Sequence, residues 1–204
     1  MLHEILKPYM SAPKTLKQGI SISNNLQKSG HLVFVTEGAV LIQHFAKFGE
    51  SVGIVKPAKT WLGLDSICAA ESELITQAIA YGGAVIQTLP ISVFNQLMQK
   101  QLKPQEADIL KLINFELSRQ LTEANELWHN QSTKDKTQLI LLQIQRLSKI
   151  FGKQTAQGTQ LEVTANLLSR LTGSEPESIR KRFCVLYRSG KIIRTGATTI
   201  TLLG

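Results

Sequence analysis

A set of charged side chains near the C-terminal end of the chain has the types and spacing needed to read nucleic-acid bases. Glu177, Arg180 and Lys181 fall within one stretch of helical periodicity. Lysine and arginine can donate to guanine O6 and N7, and glutamate can accept from cytosine N4. Arg188 and Arg194 follow at positions suited to phosphate contacts, which fix register without reading sequence. For any one of these charges, an ordinary solvated face is the alternative interpretation.

Two helices separated by a glycine turn would position this set. The stretch from Thr164 to Leu171 predicts a two-turn helix with Thr164 as its N-cap, and Thr172-Gly173 breaks it. Ser174-Glu-Pro-Glu177 predicts a capping box that opens a second helix. The inner face of that second helix would carry Ile179, Phe183 and Leu186. This arrangement is a helix-turn-helix, whose second helix enters the major groove of double-stranded DNA.

A β-hairpin wing completes the predicted module. Lys191-Ile-Ile-Arg-Thr-Gly196 and the following residues 197–203 predict two short strands around Gly196. We therefore expect a winged helix-turn-helix from about Lys134 to Gly204. The residues predicted to contact DNA are Glu177, Ser178, Arg180, Lys181, Arg188, Arg194 and Thr199.

The charge distribution agrees with this assignment. The chain has 204 residues and a net charge of +8. Residues 129–204 carry 12 Lys and Arg against 4 Asp and Glu, which accounts for all of it. A neutral part joined to a basic part indicates that only the second meets a polyanion. A basic surface that serves solubility is the alternative.

The N-terminal part has a β-rich pattern from about Gly19 to Pro90. Turn residues recur at intervals of about ten, as in β-sandwiches and barrels. Glu37-Gly38 predicts a hairpin or tight corner between the first two strands. The strands are predicted at residues 31–36, 39–44, 51–55, 74–80 and 84–89, and a short helix at 90–99 has Val93, Leu97 and Met98 as its apolar face.

One long helix is predicted between these parts, from about Lys103 to His129. A polar hinge is expected at residues 129–136, and helical periodicity resumes at Thr137. An apolar seam with heptad spacing favours pairing with a second copy, although an intramolecular core face would have a similar pattern. The residues of the predicted dimer seam are Leu110, Ile113, Leu117, Leu121, Ala124 and Trp128.

The chain resembles the Crp/Fnr superfamily of bacterial transcription regulators over nearly its full length. The resemblance rests on Val35-Thr-Glu-Gly-Ala-Val40 and is strongest at Leu171-Thr-Gly-Ser-Glu-Pro-Glu-Ser-Ile-Arg-Lys-Arg-Phe183. It implies an α+β chain with a jelly-roll-like β-roll of the cyclic-nucleotide-binding type, a long dimerisation helix and a C-terminal winged helix-turn-helix. The corresponding domains are residues 1–103, 104–130 and 131–204.

The resemblance also indicates where this chain departs from its family. The family's base-reading residues correspond to Pro176, Glu177 and Lys181. Glu177 keeps the family's acid, and Lys181 replaces an arginine with another donor. Pro176 replaces a residue that is usually arginine and cannot donate, so the family's usual operator sequence is not expected.

The nucleotide cassette of the family is degenerate here. The corresponding stretches are Gly63-Leu-Asp-Ser66 and Thr76-Gln-Ala78, with the acid missing or moved to Asp65. The first arginine in the chain is Arg119, and a buried phosphate without a paired cation is costly. Lys56 or Lys59 could substitute, but lysine lacks the bidentate fork of arginine. Cyclic AMP is therefore not expected as a cofactor.

Other cofactors have little support in the sequence. Cys68 and Cys184 lie far apart, and the family's N-terminal cluster-binding cysteines are missing, so we expect no metal or iron–sulfur site. Both thiols are expected to be structural, Cys184 at the edge of the second helix; a redox role for either is left open. A haem ligand at His3, His31 or His44 is left open as well, without positive evidence.

These observations predict a homodimeric, sequence-specific DNA-binding regulator of transcription that does not depend on cyclic AMP. Its expected site is near-palindromic double-stranded DNA, and RNA polymerase is a candidate further partner. No catalytic constellation, signal sequence or membrane span is recognisable, so a cytoplasmic protein without enzymatic activity is expected. The alternative is a degenerate sensor gated by another small ligand, thiol redox or a protein partner, with DNA binding secondary.

Overall fold

The computed structural model describes residues 2–24, 26, 28–45, 51–68, 75–133 and 135–203. The chain divides into two compact units. The N-terminal unit comprises Met1–Gly49 and Ile54–Asn125, and the C-terminal unit comprises Glu50–Gly53 and Glu126–Gly204. In the described part of the chain, no helix is long and apolar enough to cross a membrane.

An antiparallel sheet dominates the N-terminal unit. Its strands are ordered β1-β6-β3-β4, with β2 paired to β6 and β5 paired to β3. The helices α1, α2 and α3 accompany the sheet. The bounds are α1 Leu2–Leu6, β1 Lys14–Leu16, β2 Ser21–Ser23, β3 His31–Phe45, β4 Ser51–Pro57, β5 Thr60–Leu62, β6 Ile75–Pro90, α2 Ile91–Gln99 and α3 Glu106–Thr133.

The predicted corner at Glu37-Gly38 is wrong, because β3 continues through it as one strand. The register against β6 shifts between Val35 and Glu37 and again between Gly38 and Ala39, so bulges bend the strand without ending its pairing. A Cβ on Gly38, whose φ is +75°, would lie 2.2 Å from the carbonyl oxygen of Gly83. The strands predicted at 74–80 and 84–89 are likewise one strand, β6.

Two apolar clusters form the core of this unit. One lies between the sheet and the helices, where the apolar face of α2 consists of Phe94, Leu97 and Met98. The predicted inner position of Val93 is wrong, since its side chain is exposed. The other cluster lies within the sheet and includes Leu16, Leu26, Val33, Val35, Val40, Ile42, Leu62, Ala78, Ala80, Ala84 and Ile86.

The C-terminal unit places three helices beside a small antiparallel sheet of order β7-β8-β10-β9. The predicted hinge is shorter than expected, because α3 continues to Thr133. The predicted loop after Gly152 contains a strand, β7. The bounds are α4 Lys136–Phe151, β7 Lys153–Thr155, β8 Gly158–Glu162, α5 Ala165–Thr172, α6 Pro176–Arg188, β9 Ile192–Arg194 and β10 Thr199–Leu202. The predicted α+β fold class is confirmed by this architecture.

Candidate nucleic-acid interface

The helix-turn-helix is formed by α5 and α6. Thr164 caps α5 as predicted, since its hydroxyl accepts a hydrogen bond from the Leu167 N–H at 3.1 Å. Gly173 ends the helix in the left-handed conformation at φ 65°, and its N–H donates to the Ser169 carbonyl. The chain then turns sharply into α6, which packs against both α4 and α5.

The predicted capping box at Ser174 is wrong. The N-cap of α6 is Glu175, whose side chain makes no capping hydrogen bond, and Pro176 occupies the first helical turn. A residue that precedes proline is driven out of the helical conformation, and Glu175 has φ −59° and ψ 140°. The helix therefore cannot include Glu175, and Ser174 is buried in the turn instead.

The outward face of α6 is a polar row. Ile179 and Leu186 are fully buried, whereas Glu177, Lys181 and Arg188 are exposed. The exposed residues Glu177, Lys181, Cys184 and Arg188 follow each other at steps of four, three and four, so they lie along one side of the helix. We call these four residues the reading row.

Other predicted DNA-contact residues flank the reading row. Arg180 is exposed and pairs with Glu177, with Nη1 and Oε2 3.1 Å apart. Ser178 is half-buried. Phe183, predicted to face inward, is also only half-buried, and its ring stacks on that of Tyr187 with centroids 5.9 Å apart. Cys184 was expected at the helix edge in a packing role; it is a free, exposed thiol within the row.

Arg194 and Thr199 belong to the wing. The Arg194 guanidinium donates to the carbonyls of Gly196 at 3.0 Å and Ala197 at 3.3 Å, so it stabilises the turn between β9 and β10. Thr199 is half-buried, and its carbonyl accepts the N–H groups of Thr195 and Gly196. The sequence did not reveal that Arg194 already has intramolecular partners.

A groove of about 460 Å³ lies between the start of α5, α6 and the wing. Arg180, Cys184 and Tyr187 line its α6 side, and Arg194 lines it from the wing. Burial raises the pKa of Tyr187, so its phenol is neutral and available as a hydrogen-bond donor. The groove and the reading row together form a continuous polar and basic surface on the C-terminal unit.

The predicted dimer seam divides into two groups on α3. Ile113 is buried in the core of the N-terminal unit, and Leu117 is partly buried against that core. Leu110, Leu121 and Trp128 have 44%, 63% and 74% of their side-chain surface exposed. Ala124 is exposed as well. The exposed members form one row, because they recur at helical spacing on the side next to the buried face.

The region that corresponds to the nucleotide cassette is occupied by the protein's own groups. Leu64 is buried, and Thr76 is buried with its hydroxyl 3.1 Å from Nδ1 of His44. Lys56 is buried, and its ammonium forms an ion pair with the Glu123 carboxylate of α3. Lys59 is exposed. Asp65 is exposed too, and residues 69–74 lie outside the described part of the chain.

The histidines considered as haem ligands have protein partners. Nε2 of His3 lies 3.1 Å from Gln87 Oε1, and the ring stacks on Phe34. Nδ1 of His31 lies 2.7 Å from the Ser29 carbonyl oxygen. Among the described residues, no three His, Cys, Asp or Glu side chains are grouped as a metal would require. The side chain of Cys68 is outside the described residues.

Solved structures with this fold are bacterial transcription regulators. The c-di-GMP-responsive global regulator CLP of Xanthomonas campestris has a TM-score of 0.85 and 21% identity, covering 100% of this chain and 98% of that chain. A CRP/FNR-family regulator from Thermus thermophilus has a TM-score of 0.73 and 21% identity, covering 95% and 94%. A second regulator from that organism has a TM-score of 0.75 and 19% identity, covering 94% and 92%.

Neither the sequence models of known families nor the sequences of curated proteins match the chain. Identities of this size carry the fold across but not the activity. The agreement extends over both units and over the full length of the chain. The chain therefore has the fold of the CRP/FNR transcriptional regulators, as the resemblance in its sequence predicted.

Proposed function

We propose that this protein is a sequence-specific DNA-binding regulator of transcription that acts as a homodimer. The observation that carries the proposal is the reading row on α6. It places Glu177 and Lys181, an acceptor and a donor suited to base edges, four residues apart on the exposed side of a helix that begins after a tight turn. Lys181 and Arg188 supply positive charge for the phosphates.

The exposed apolar row on α3 supports the homodimer. Leu121 and Trp128 are large side chains that a monomer would leave in water. Pairing of two such helices would bury them and place two α6 helices about 34 Å apart, the spacing of successive major grooves. The expected site is then a near-palindrome whose half-sites differ from the family's usual one, because Pro176 cannot donate to a base.

Independence from cyclic AMP is supported by the missing cation. Arg119 is the first arginine of the chain and lies on α3, where its guanidinium pairs with Glu116. Lys56 is already neutralised by Glu123. A cyclic phosphate entering this unit would have to compete with a protein carboxylate for the one buried lysine among the described residues.

The first experiment is a selection of genomic fragments with purified protein, run alone, with cyclic AMP and with c-di-GMP. The third arm is included because the CLP regulator of similar fold responds to c-di-GMP. Enrichment of a palindromic site without nucleotide is the expected result. Enrichment only with a nucleotide would contradict ligand independence, and no enrichment in any arm would favour a sensor gated by another signal.

Variants of the reading row test direct readout on the selected site. We expect Lys181→Ala and Glu177→Ala each to relax discrimination at one base position by about 1 to 3 kcal/mol. Arg188→Ala should instead weaken specific and random DNA about equally. Equal losses on both kinds of DNA from all three variants would remove the case for base reading by α6.

A further inference from the structure

Arg182 belongs to the basic run Arg180-Lys181-Arg182 but does not share its face of α6. Ile179, Arg182 and Leu186 follow each other at steps of three and four, so Arg182 lies on the packed side of the helix with two buried residues. Its side chain is half-buried. The sequence alone gave no reason to separate it from its two neighbours.

The Arg182 guanidinium has a defined partner on another helix. Its Nη1 donates to the hydroxyl of Thr137 at 3.1 Å. Thr137 lies in the first turn of α4, directly after the N-cap Asp135. The carboxylate of Asp135 accepts the N–H groups of Thr137 at 2.6 Å and Gln138 at 3.1 Å. These contacts form one chain of hydrogen bonds from α6 to the start of α4.

The electrostatics of the N-cap agree with this geometry. The backbone N–H groups of Gln138 and Thr137 lower the pKa of Asp135, and the nearby positive charge of Arg182 lowers it further. Arg182 therefore contacts a hydroxyl while its charge complements the carboxylate beside it. A guanidinium that serves this site on the packed side of α6 is turned away from the reading row.

We propose that Arg182 is a positioning residue that fixes the reading helix to the first turn of α4 through the Thr137 hydroxyl. The inference rests on the proposed DNA-binding function. A helix that reads base edges must be held at one angle to its scaffold, since small displacements remove several hydrogen bonds at once. The contact also joins α6 to the segment that directly follows the end of α3, where the orientation of the reading helix can be set.

The test compares variants that remove either partner of the contact. Arg182→Gln removes the guanidinium, Thr137→Val removes the acceptor at similar volume, and Thr137→Ser retains a hydroxyl as the matched control. Native-state hydrogen exchange of the α6 amides is measured without DNA. We expect faster exchange in Arg182→Gln and Thr137→Val, little change in Thr137→Ser, and a double variant no worse than the worse single.

A second arm measures affinity for the selected DNA site over a range of salt concentrations. A positioning role predicts that Arg182→Gln and Thr137→Val lose affinity on the order of tenfold while the slope of log K against log[salt] is unchanged. Arg188→Gln, the same substitution on the exposed side, should reduce that slope by about 0.9. A slope loss in Arg182→Gln with native binding in Thr137→Val would show that Arg182 contacts phosphate and would overturn the proposal.

The exchange arm decides the matter even if the native protein binds no DNA. Unchanged α6 exchange in both Arg182→Gln and Thr137→Val would refute the positioning role. Faster exchange together with no DNA binding by the native chain would refute the proposed function and leave the contact established. Thermal unfolding of each variant excludes global misfolding as the cause of either result.

Discussion

The two units of the chain use their cations in opposite ways. In the N-terminal unit, Lys56 is buried and its charge is neutralised by Glu123 on α3. In the C-terminal unit, Lys181 and Arg188 are exposed along one side of α6. One lysine is part of the internal packing of a unit with balanced charge, and the other cations form a surface with excess positive charge.

This difference shows that burial decides what a charge can do. A buried lysine must be compensated within the protein, because an isolated charge in the interior is costly. An exposed lysine keeps its hydration and is available to an external polyanion. The sequence counts Lys56 and Lys181 equally, and only their surroundings separate a structural role from a binding role.

The largest expected effect separates the two sets of cations by salt. Raising salt from about 50 to 200 mM should lower affinity for DNA roughly a thousandfold if six or more phosphates are neutralised by the dimer. Over the same range, the free energy of unfolding should change by less than about 1 kcal/mol, because a buried pair is little screened. Titration by fluorescence anisotropy and thermal unfolding in the same buffers measure the two quantities. Affinity that is flat with salt would contradict the role of the exposed cations.

The next effect concerns the buried pair itself. Glu123→Gln should lower the free energy of unfolding by about 2 kcal/mol, because it leaves the Lys56 charge buried without a counterion. The loss is placed below that of a fully buried pair because the Glu123 side chain is 31% exposed. Glu106→Gln, which removes the exposed partner of Lys103 on the same helix, is the matched control and should cost less than about 0.5 kcal/mol.

Chemical denaturation of both single variants and of Lys56→Met combined with Glu123→Leu measures this contribution. The double variant should recover most of the stability, since both charges are then replaced by apolar groups. Equal losses in Glu123→Gln and Glu106→Gln would mean that the Lys56 pair behaves as an ordinary surface pair, and the contrast between the units would fail.

A smaller effect is expected from a neutral hydrogen bond in the C-terminal unit. Thr164→Val removes the hydroxyl that caps the Leu167 N–H at similar volume and should lower the free energy of unfolding by about 1 kcal/mol. Thr164→Ser keeps the cap and should be close to the native protein. Thermal unfolding at low and high salt should give the same loss, because no ion pair is involved; a loss that vanished with salt would point to an electrostatic origin.

The smallest effect is a pH dependence at the cap of α4. The backbone N–H groups of Gln138 and Thr137 hold the pKa of Asp135 below its ordinary value of 3.8. The stabilisation by the carboxylate is therefore complete above that ordinary value and is lost as the pH falls through the lowered pKa. Asp135→Asn keeps a capping oxygen without a titrating group. The stability difference between native protein and Asp135→Asn at about pH 6 should shrink below about pH 4, as followed by chemical denaturation. A difference that stayed constant to low pH would contradict this assignment.

Local patterns in the sequence carried much of the architecture. Thr164 and Gly173 mark the ends of α5 through capping chemistry that depends on neighbouring residues only. The long α3 followed from a helical period without glycine or proline. The corner expected at Gly38 was wrong because the same glycine permits either a turn or a bulge, and pairing with β6 selects the bulge.

By itself, the sequence determined the fold class, the order of the elements, the concentration of positive charge after residue 129 and the exposed side of α6. These depend on composition and on periods of two or 3.6 residues, which are local quantities. The tertiary structure alone decided that Lys56 is paired with Glu123, that Ile113 lies in the core while Trp128 is exposed, and that Arg182 faces Thr137. Each of these depends on which distant residue meets a side chain, and that partner is chosen by packing between elements rather than by spacing along the chain.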